Sequence, residues 1–176
     1  MSFIDSPIVA VDTETSGLSP ARGDRVIEWA AVRIVDYVIT EKTSSLIDVP
    51  CHIHAQAAVV HGISAEMLQG QPQPDEAWQR FYDFVGDASI IAHNVVFDRN
   101  FITYEYSRLG WNFSNEMICT LKMARRKYPH LGKHRLPDVA RWVLGEVPQA
   151  EKLHRALYDA EITARIWITM SKNDNE

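Results

Sequence analysis

Carboxylates follow apolar segments at three places in the sequence. The first is Val11-Asp12-Thr13-Glu14, where two acids lie two positions apart at the end of an aliphatic run. If that run is a β-strand, Asp12 and Glu14 point to the same face, because side chains alternate along a strand. Two like charges held this close repel each other unless a proton or a cation is bound, and such pairs often hold Mg²⁺ or Mn²⁺. A solvated strand end is the alternative interpretation.

The second place is His93-Asn94-Val95-Val96-Phe97-Asp98, which joins a short apolar segment to a helical pattern. Asp98 falls in the first turn of the predicted helix, near the carboxyl end of a predicted strand, where open α/β sheets usually bind ligands. The structural alternative is an acid that stabilises the helix dipole. For the side chains of His93 and Asn94, we expect hydrogen bonds to backbone groups of the loop.

The third place is His154-Arg155-Ala156-Leu157-Tyr158-Asp159. Positions five apart are separated by about 140° around a helix, so His154 and Asp159 cannot face one site if both are helical. We therefore predict His154 in a loop and Asp159 in an early turn of the last helix. This arrangement would let the imidazole approach a water molecule while the carboxylate stays fixed. A surface histidine and a surface acid are the alternative.

The hydrophobic pattern predicts the elements that position these acids. Ile8–Val11 and Val26–Val35 are typical of central strands and Val38–Ile47 of an edge strand, which suggests a meander. Glu28 interrupts the second strand, and we expect it to be hydrogen-bonded rather than a ligand. After residue 74, helical stripes alternate with a short strand at 89–92, which predicts a mixed sheet with helices on its faces. The stripes contain Trp78, Phe81, Tyr82 and Val85; Phe97, Phe101 and Tyr104; and Leu136, Val139, Ala140, Val143 and Leu144, before a last helix from about Arg155 to Met170.

Length and charge limit the classes of protein to consider. The chain has 176 residues, 46% of them apolar, which suits one soluble domain over 1–176 with a core of about 8–170. The net charge of −5 would repel a polyanion, so a nucleic-acid contact would have to be local or mediated by cations. No apolar run approaches the about 18 residues of a membrane span. We therefore expect no membrane partner.

Cysteine spacing favours a reducing compartment. Cys51 and Cys119 stand far apart and lack the spacing of a zinc site, so we predict unpaired thiols and a cytoplasmic location.

One segment is strongly basic. Residues Lys122 to Arg135 contain six lysines and arginines and no acid, which could attract a nucleic-acid backbone or form a solvated helix face and loop. We expect Trp111, Trp142 and Trp167 to be packing residues rather than stacking platforms.

The order and context of the acidic motifs resemble the DnaQ-like (DEDDh) 3′→5′ exonuclease family. Residues 12–18, 93–98 and 154–159 match the three family motifs, and Val60-His61-Gly62-Ile63 also fits. The resemblance covers about Ile8 to Met170, and residues 118–126 and 154–159 are especially similar to the exonuclease X branch. It implies a ribonuclease H-like mixed five-stranded sheet flanked by helices, and metal-dependent release of nucleoside monophosphates from DNA 3′ ends, preferably single-stranded.

The resemblance also implies roles for individual residues. Asp12, Glu14 and Asp159 would hold one Mg²⁺ or Mn²⁺ ion, Asp12 would bridge to a second, and Asp98 would complete the cluster. His154 would accept a proton from water as a general base. The 3′-terminal nucleotide would contact Thr13, Thr15, Gly17, Leu18, His61, Gly62, Ile63, Asn94 and Phe97, of which the apolar side chains could equally be core residues.

Three other functions stay open at this point. An RNA 3′→5′ exonuclease of the ribonuclease T or oligoribonuclease branches would use the same acids, since RNA is distinguished by contacts to the 2′-hydroxyl. A non-catalytic nucleic-acid-binding module would have no physical reason to keep four mutually repelling acids. A haloacid-dehalogenase-like phosphatase needs a nucleophilic Asp in a D-x-D motif, which Glu14 disfavours.

Overall fold

A computed structural model describes residues 7–172. The strands are β1 (Ile8–Thr15), β2 (Val26–Val35), β3 (Val38–Leu46), β4 (Ser89–Ala92) and β5 (Met117–Cys119). The helices are α1 (Ala55–His61), α2 (Ala65–Leu68), α3 (Pro74–Val85), α4 (Val95–Arg108), α5 (Thr120–Lys127), α6 (Leu136–Leu144) and α7 (Ala156–Lys172). A short 3₁₀ turn, Pro20–Arg22, follows β1.

The strands form one sheet in the order β3-β2-β1-β4-β5. The pairs β1–β2 and β2–β3 are antiparallel, whereas β1–β4 and β4–β5 are parallel. The parallel pairs require crossover connections, and helices provide them. The predicted mixed five-stranded sheet flanked by helices is therefore confirmed.

The central strand β1 is buried on both faces, and its alternation separates two layers. Val9 and Val11 pack into a core with side chains of α3 and α4. Ile8 and Ala10 lie on the opposite face, with residues of α7. The two acids of β1 continue this second, even-numbered series, so their side chains point toward the face that α7 covers.

Helix α7 approaches the sheet closely because its facing residues are small. Ala156, Ala160 and Ala164 follow one another at a spacing of four, so they share a helix face, and all three are buried against the sheet. This packing places the first turn of α7 beside the ends of β1 and β2.

Several predicted details differ from the structure. Strand β1 extends to Thr15, so both acids lie within the strand. Tyr82 and Tyr104 are 53% and 41% exposed, because a tyrosine at the edge of an apolar stripe can leave its polar end in water. The sequence pattern does not define helices α1, α2 and α5, because they are too short for a clear stripe.

Predictions about single residues outside the site have mixed outcomes. Cys51 and Cys119 are free thiols, as predicted. Trp111 and Trp167 pack in hydrophobic clusters, as predicted, but Trp142 is 52% exposed. Among the helices of residues 7–172, none combines the length and hydropathy that a membrane span requires.

Candidate active site

Three elements bring four carboxylates to one end of the sheet. Asp12 and Glu14 come from β1, Asp98 from the first turn of α4 and Asp159 from the first turn of α7. Glu14, Asp98 and Asp159 are 8%, 3% and 5% exposed, and Asp12 is half-buried. Both helical acids occupy the positions predicted from the sequence.

The two acids of β1 are held where their ionised forms are disfavoured. Burial raises the pKa of Asp12 well above its usual value, and the charges of Asp98, Asp159 and Glu14 raise it further. Burial likewise raises the pKa of Glu14 to about 8, with additional repulsion from Asp159. These mutual effects show that the four acids form one electrostatic cluster.

The pKa values of the two acids on the helices are also raised, and hydrogen bonds partly offset this effect. Burial raises the pKa of Asp98 to about 7, although the Thr13 hydroxyl donates to Asp98 Oδ1 at 2.9 Å and favours the charged form. Burial raises the pKa of Asp159 to about 6, against a hydrogen bond from the His154 backbone N–H to Oδ2 at 3.1 Å. Near neutral pH, the cluster therefore favours bound protons or a bound cation.

The geometry also fits a cation. One ligand atom from each of Glu14, His154 and Asp159 lies within 4.8 Å of the other two. Asp159 Oδ1 is buried and has no hydrogen-bond partner. A buried carboxylate oxygen without a partner is costly, and a hard divalent cation such as Mg²⁺ or Mn²⁺ would satisfy it.

His154 lies outside the helix that carries Asp159, as predicted. Its backbone is left-handed, with φ of 60°, and α7 begins two residues later, at Ala156. The hydrogen bond from its N–H to Asp159 fixes this turn, while the residue remains exposed. The imidazole is therefore open to solvent at the edge of a buried acidic cluster.

A fifth buried acid, Glu28, has a structural partner. Glu28 lies opposite Glu14 in the β1–β2 pair and is 5% exposed. It accepts hydrogen bonds from Arg155 Nε at 3.2 Å, from Arg155 Nη2 at 2.8 Å and from the Ala156 backbone N–H at 3.0 Å. The expectation that Glu28 is hydrogen-bonded is confirmed.

Arg155, the partner of Glu28, is not evident from the sequence pattern. The pair is 127 positions apart, so only the folded chain reveals it, although an acid in an apolar strand signals that some partner exists. The pair ties the loop of His154 and the start of α7 to β2.

The residues of the second motif have two different roles. His93 Nε2 lies 2.9 Å from the His134 carbonyl oxygen, which matches the expected backbone contact, and Nδ1 lies 3.0 Å from Thr120 Oγ1. His93 thereby ties the end of β4 to α5 and to the segment before α6. Asn94 is exposed with φ of 70°, and its side chain makes no hydrogen bond within residues 7–172. The expectation of a backbone contact for Asn94 is wrong.

The predicted nucleotide contacts divide into open and buried residues. Leu18 is 83% exposed, Gly62 ends α1 and is exposed, and Phe97 is half-buried with its ring centroid 4.9 Å from that of Phe101. The Ile63 side chain is 1% exposed and belongs to the core, so it does not line an open slot.

His61 is also buried, but one of its ring nitrogens lacks a partner. Its Nδ1 accepts the Ile63 N–H at 3.0 Å, whereas Nε2 is buried without a hydrogen bond. Burial lowers the pKa of His61, and the Thr15 backbone and the charge of Glu28 oppose this effect.

In the loop after β1, the backbone of Gly17 lies close to the carboxylate of Asp24. Thr15 Oγ1 donates to the Gly17 carbonyl oxygen at 2.6 Å. A Cβ atom on Gly17 would lie 2.5 Å from the carboxylate of Asp24, so no larger residue fits without rearrangement. The carboxylate of Asp24 also accepts the Ser19 N–H at 2.8 Å, which holds the loop that presents Leu18.

Comparison with known proteins agrees with this geometry. A family model described as "Exonuclease" matches residues 9–167. The DNA polymerase III subunit epsilon of Aquifex aeolicus is 37% identical over 168 residues, which are 95% of this chain and 81% of that protein. A DNA polymerase III of the PolC type from Halalkalibacterium halodurans is 34% identical over 99% of this chain, which spans 12% of that protein.

Solved structures give the same result. Exonuclease X in complex with 5′ overhanging duplex DNA has a TM-score of 0.77 and 29% identity, covering 96% of this chain and 93% of that one. Exonuclease I has a TM-score of 0.83 and 19% identity over 96% of this chain and 41% of that one, which shows a shared fold. The chain belongs to the exonuclease family and is a DnaQ-like 3′→5′ exonuclease, a hydrolase.

Proposed function

We propose that this chain removes nucleoside 5′-monophosphates from the 3′ end of single-stranded DNA, with two Mg²⁺ or Mn²⁺ ions and His154 as general base. The observation that carries the proposal is the convergence of four acids, including the buried, unpartnered Oδ1 of Asp159. Two unpaired thiols favour a reducing compartment, and we place the protein in the cytoplasm.

In this proposal, Asp12, Glu14, Asp98 and Asp159 hold the ions. When bound, the ions would supply positive charge that stabilises the attacking and leaving oxygens of an in-line displacement at phosphorus. The carboxylates provide the oxygen ligands that Mg²⁺ and Mn²⁺ prefer. Burial and mutual repulsion raise the pKa of Asp12 and Glu14, and the positive charge of the ions would relieve the repulsion.

His154 is proposed to remove the proton of the attacking water. The imidazole is exposed and lies beside Glu14 and Asp159, where it could reach a water molecule held at the acidic cluster. Attack of the water oxygen on phosphorus breaks the bond to the 3′ oxygen of the preceding nucleotide. The products are a nucleoside 5′-monophosphate and a strand shortened by one nucleotide with a 3′-hydroxyl.

The preference for DNA rests on relatives and on open apolar surface. The similar proteins include a DNA polymerase III subunit epsilon and a PolC-type DNA polymerase III, and the exonuclease X structure contains DNA. The exposed side chain of Leu18 and the half-buried ring of Phe97 offer apolar contacts that do not depend on base identity. Stacking of this kind requires unpaired bases, which favours a single strand.

Digestion of 5′-labelled oligonucleotides tests the proposed function. DNA and RNA of one sequence, as single strands and as duplexes, are incubated with Mg²⁺, with Mn²⁺ or with EDTA. We expect stepwise shortening of single-stranded DNA that requires the metal and is abolished in Asp12→Asn. Faster shortening of RNA would overturn the choice of substrate, and shortening that persists in EDTA would overturn the metal requirement.

A further inference from the structure

Trp142 on α6 is an exposed aromatic side chain outside the catalytic cluster. It is 52% exposed, whereas Trp29, Trp78 and Trp167 are buried and Trp111 is half-buried. Its ring meets His130 edge-on, with 5.2 Å between the ring centroids. A tryptophan ring that is about half exposed offers a flat apolar face on which an aromatic group can stack.

The ring lines a small open pocket with a basic rim. The pocket has a volume of about 150 Å³ and is lined by Leu131, Lys133, Asp138, Arg141 and Trp142. Lys133 and Arg141 are exposed, and neither forms an ion pair within residues 7–172. The single carboxylate, that of Asp138, is paired with Arg135 Nε at 2.9 Å.

The surroundings of the pocket are also cationic. Lys122, Arg125 and Arg126 on α5 are exposed and recur at helical spacing on one face. They form no ion pair within residues 7–172. In a chain of net charge −5, these side chains concentrate positive charge on one part of the surface. The negative charge of a nucleic-acid phosphate backbone complements this positively charged surface.

The pocket is connected to the second acidic motif by a short covalent and hydrogen-bonded path. His93, five residues before Asp98, contacts the His134 carbonyl oxygen at 2.9 Å. Lys133 is the neighbour of His134, so it lies about one residue length from this contact. A strand whose 3′ end lies in the catalytic cluster could therefore continue past Lys133.

We propose that Trp142 stacks on a base of the substrate strand, 5′ to the nucleotide that is cleaved, while Lys133 and Arg141 bind the adjacent phosphates. The combination of an aromatic platform and unpaired cations is that of sequence-independent single-strand binding. The proposal rests on the proposed exonuclease function and adds a second nucleotide subsite to it.

The test compares substrates that reach the subsite with one that does not. Hydrolysis of a long single-stranded DNA and of the p-nitrophenyl ester of thymidine 5′-monophosphate is measured for the wild type, Trp142→Ala, Trp142→Phe and Val38→Ala. Val38 is an exposed apolar residue on the edge strand β3 and serves as the matched control. For Trp142→Ala, the ratio of kcat/KM for the long strand to that for the ester should fall by about tenfold.

The control variants define the remaining outcomes. Trp142→Phe should retain most of the ratio because a ring remains, and Val38→Ala should leave it unchanged. An unchanged ratio in Trp142→Ala with an active wild type would overturn the subsite alone, and would favour a protein partner for this surface. A wild type inactive on both substrates would instead overturn the proposed function.

Tryptophan fluorescence gives an independent readout without catalysis. In EDTA, a long single-stranded DNA should quench the fluorescence of the wild type, and this quenching should be lost in Trp142→Phe. Lys133→Ala and Arg141→Ala should each reduce the slope of log affinity against log salt by about 0.7. Equal quenching in Trp142→Phe would contradict the stacking.

Discussion

His154 differs from the acids around it because it is exposed while three of them are buried. An exposed group can exchange a proton with water, and it avoids the desolvation that disfavours the charged form of the buried carboxylates. Its ring also lies close enough to Glu14 and Asp159 to serve as a metal ligand. The two roles make different predictions.

We expect His154→Ala to lower kcat by about 100-fold or more, because a general base is lost. Uptake of Mn²⁺, measured by isothermal titration calorimetry, should persist through the carboxylates. His52→Ala, which removes another exposed histidine, is the matched control and should keep kcat. If Mn²⁺ uptake disappears with the imidazole, His154 is a ligand rather than the base.

The acids of the site could be predicted from the sequence, whereas the residues that contact and bury their neighbours could not. The alternation of a strand is a local property, so the shared face of Asp12 and Glu14 follows from the sequence. The partner of Glu28 and the burial of the Ile63 side chain depend on residues far away in the chain. Local pattern contains no information about such contacts.

The start of α7 is the element on which the geometry of the site depends most. Glu28 on β2 binds Arg155 and the Ala156 N–H, and so holds the start of the helix. His154 lies in the loop just before this point, and Asp159 lies in the first turn. Movement of this turn would displace a proposed ligand and the proposed base together.

Arg155→Ala should therefore lower stability and turnover together. Loss of the charged hydrogen bonds should reduce the free energy of unfolding by about 1–3 kcal/mol, because Glu28 stays buried without its cation. Thermal unfolding and kcat measure the two effects. Arg165→Ala is the control on the same helix, since its ion pair with Glu146 is exposed and should contribute less than about 1 kcal/mol. Equal effects of the two variants would show that the Glu28 pair does not position the helix.

Elements with a clear apolar pattern were predictable. Helices α3 and α6 have an apolar stripe, and β1, β2 and β4 are continuous apolar runs typical of buried strands. Helix α1 exposes Val59 and Val60, so its pattern lacks a buried stripe. Strand β5 has three residues, and pairing with β4 defines it rather than its own sequence.

For the whole molecule, the buried acids connect stability to pH and to metal. Glu14, Asp98 and Asp159 have pKa values of about 8, 7 and 6 in the folded chain, above the ordinary carboxyl values. Between about pH 5 and 8, the folded chain binds more protons than the unfolded chain, so stability falls as pH rises.

Without divalent metal, the melting temperature should therefore decrease from about pH 5 to pH 8, the pKa of Glu14. Mg²⁺ or Mn²⁺ should raise it, most strongly at the upper end of this range, because the ionised cluster binds cations best. Differential scanning calorimetry in EDTA and in excess metal measures both. Asp12→Asn removes one of the repelling charges and should flatten the pH dependence and the response to metal. A melting temperature that rises with pH in EDTA would contradict the direction of these shifts.

Because side chains alternate along β1, the face on which the catalytic acids lie depends on the number of residues that precede them in the strand. Loops around the sheet can change length at little cost. One residue added between Ile8 and Val9, with the register of Ile8 kept, would instead exchange the two faces of the strand: the carboxylates would enter the aromatic layer beneath α3 and α4, and the valines would turn toward α7. The position of the active site is thus encoded in the odd or even parity of a single strand.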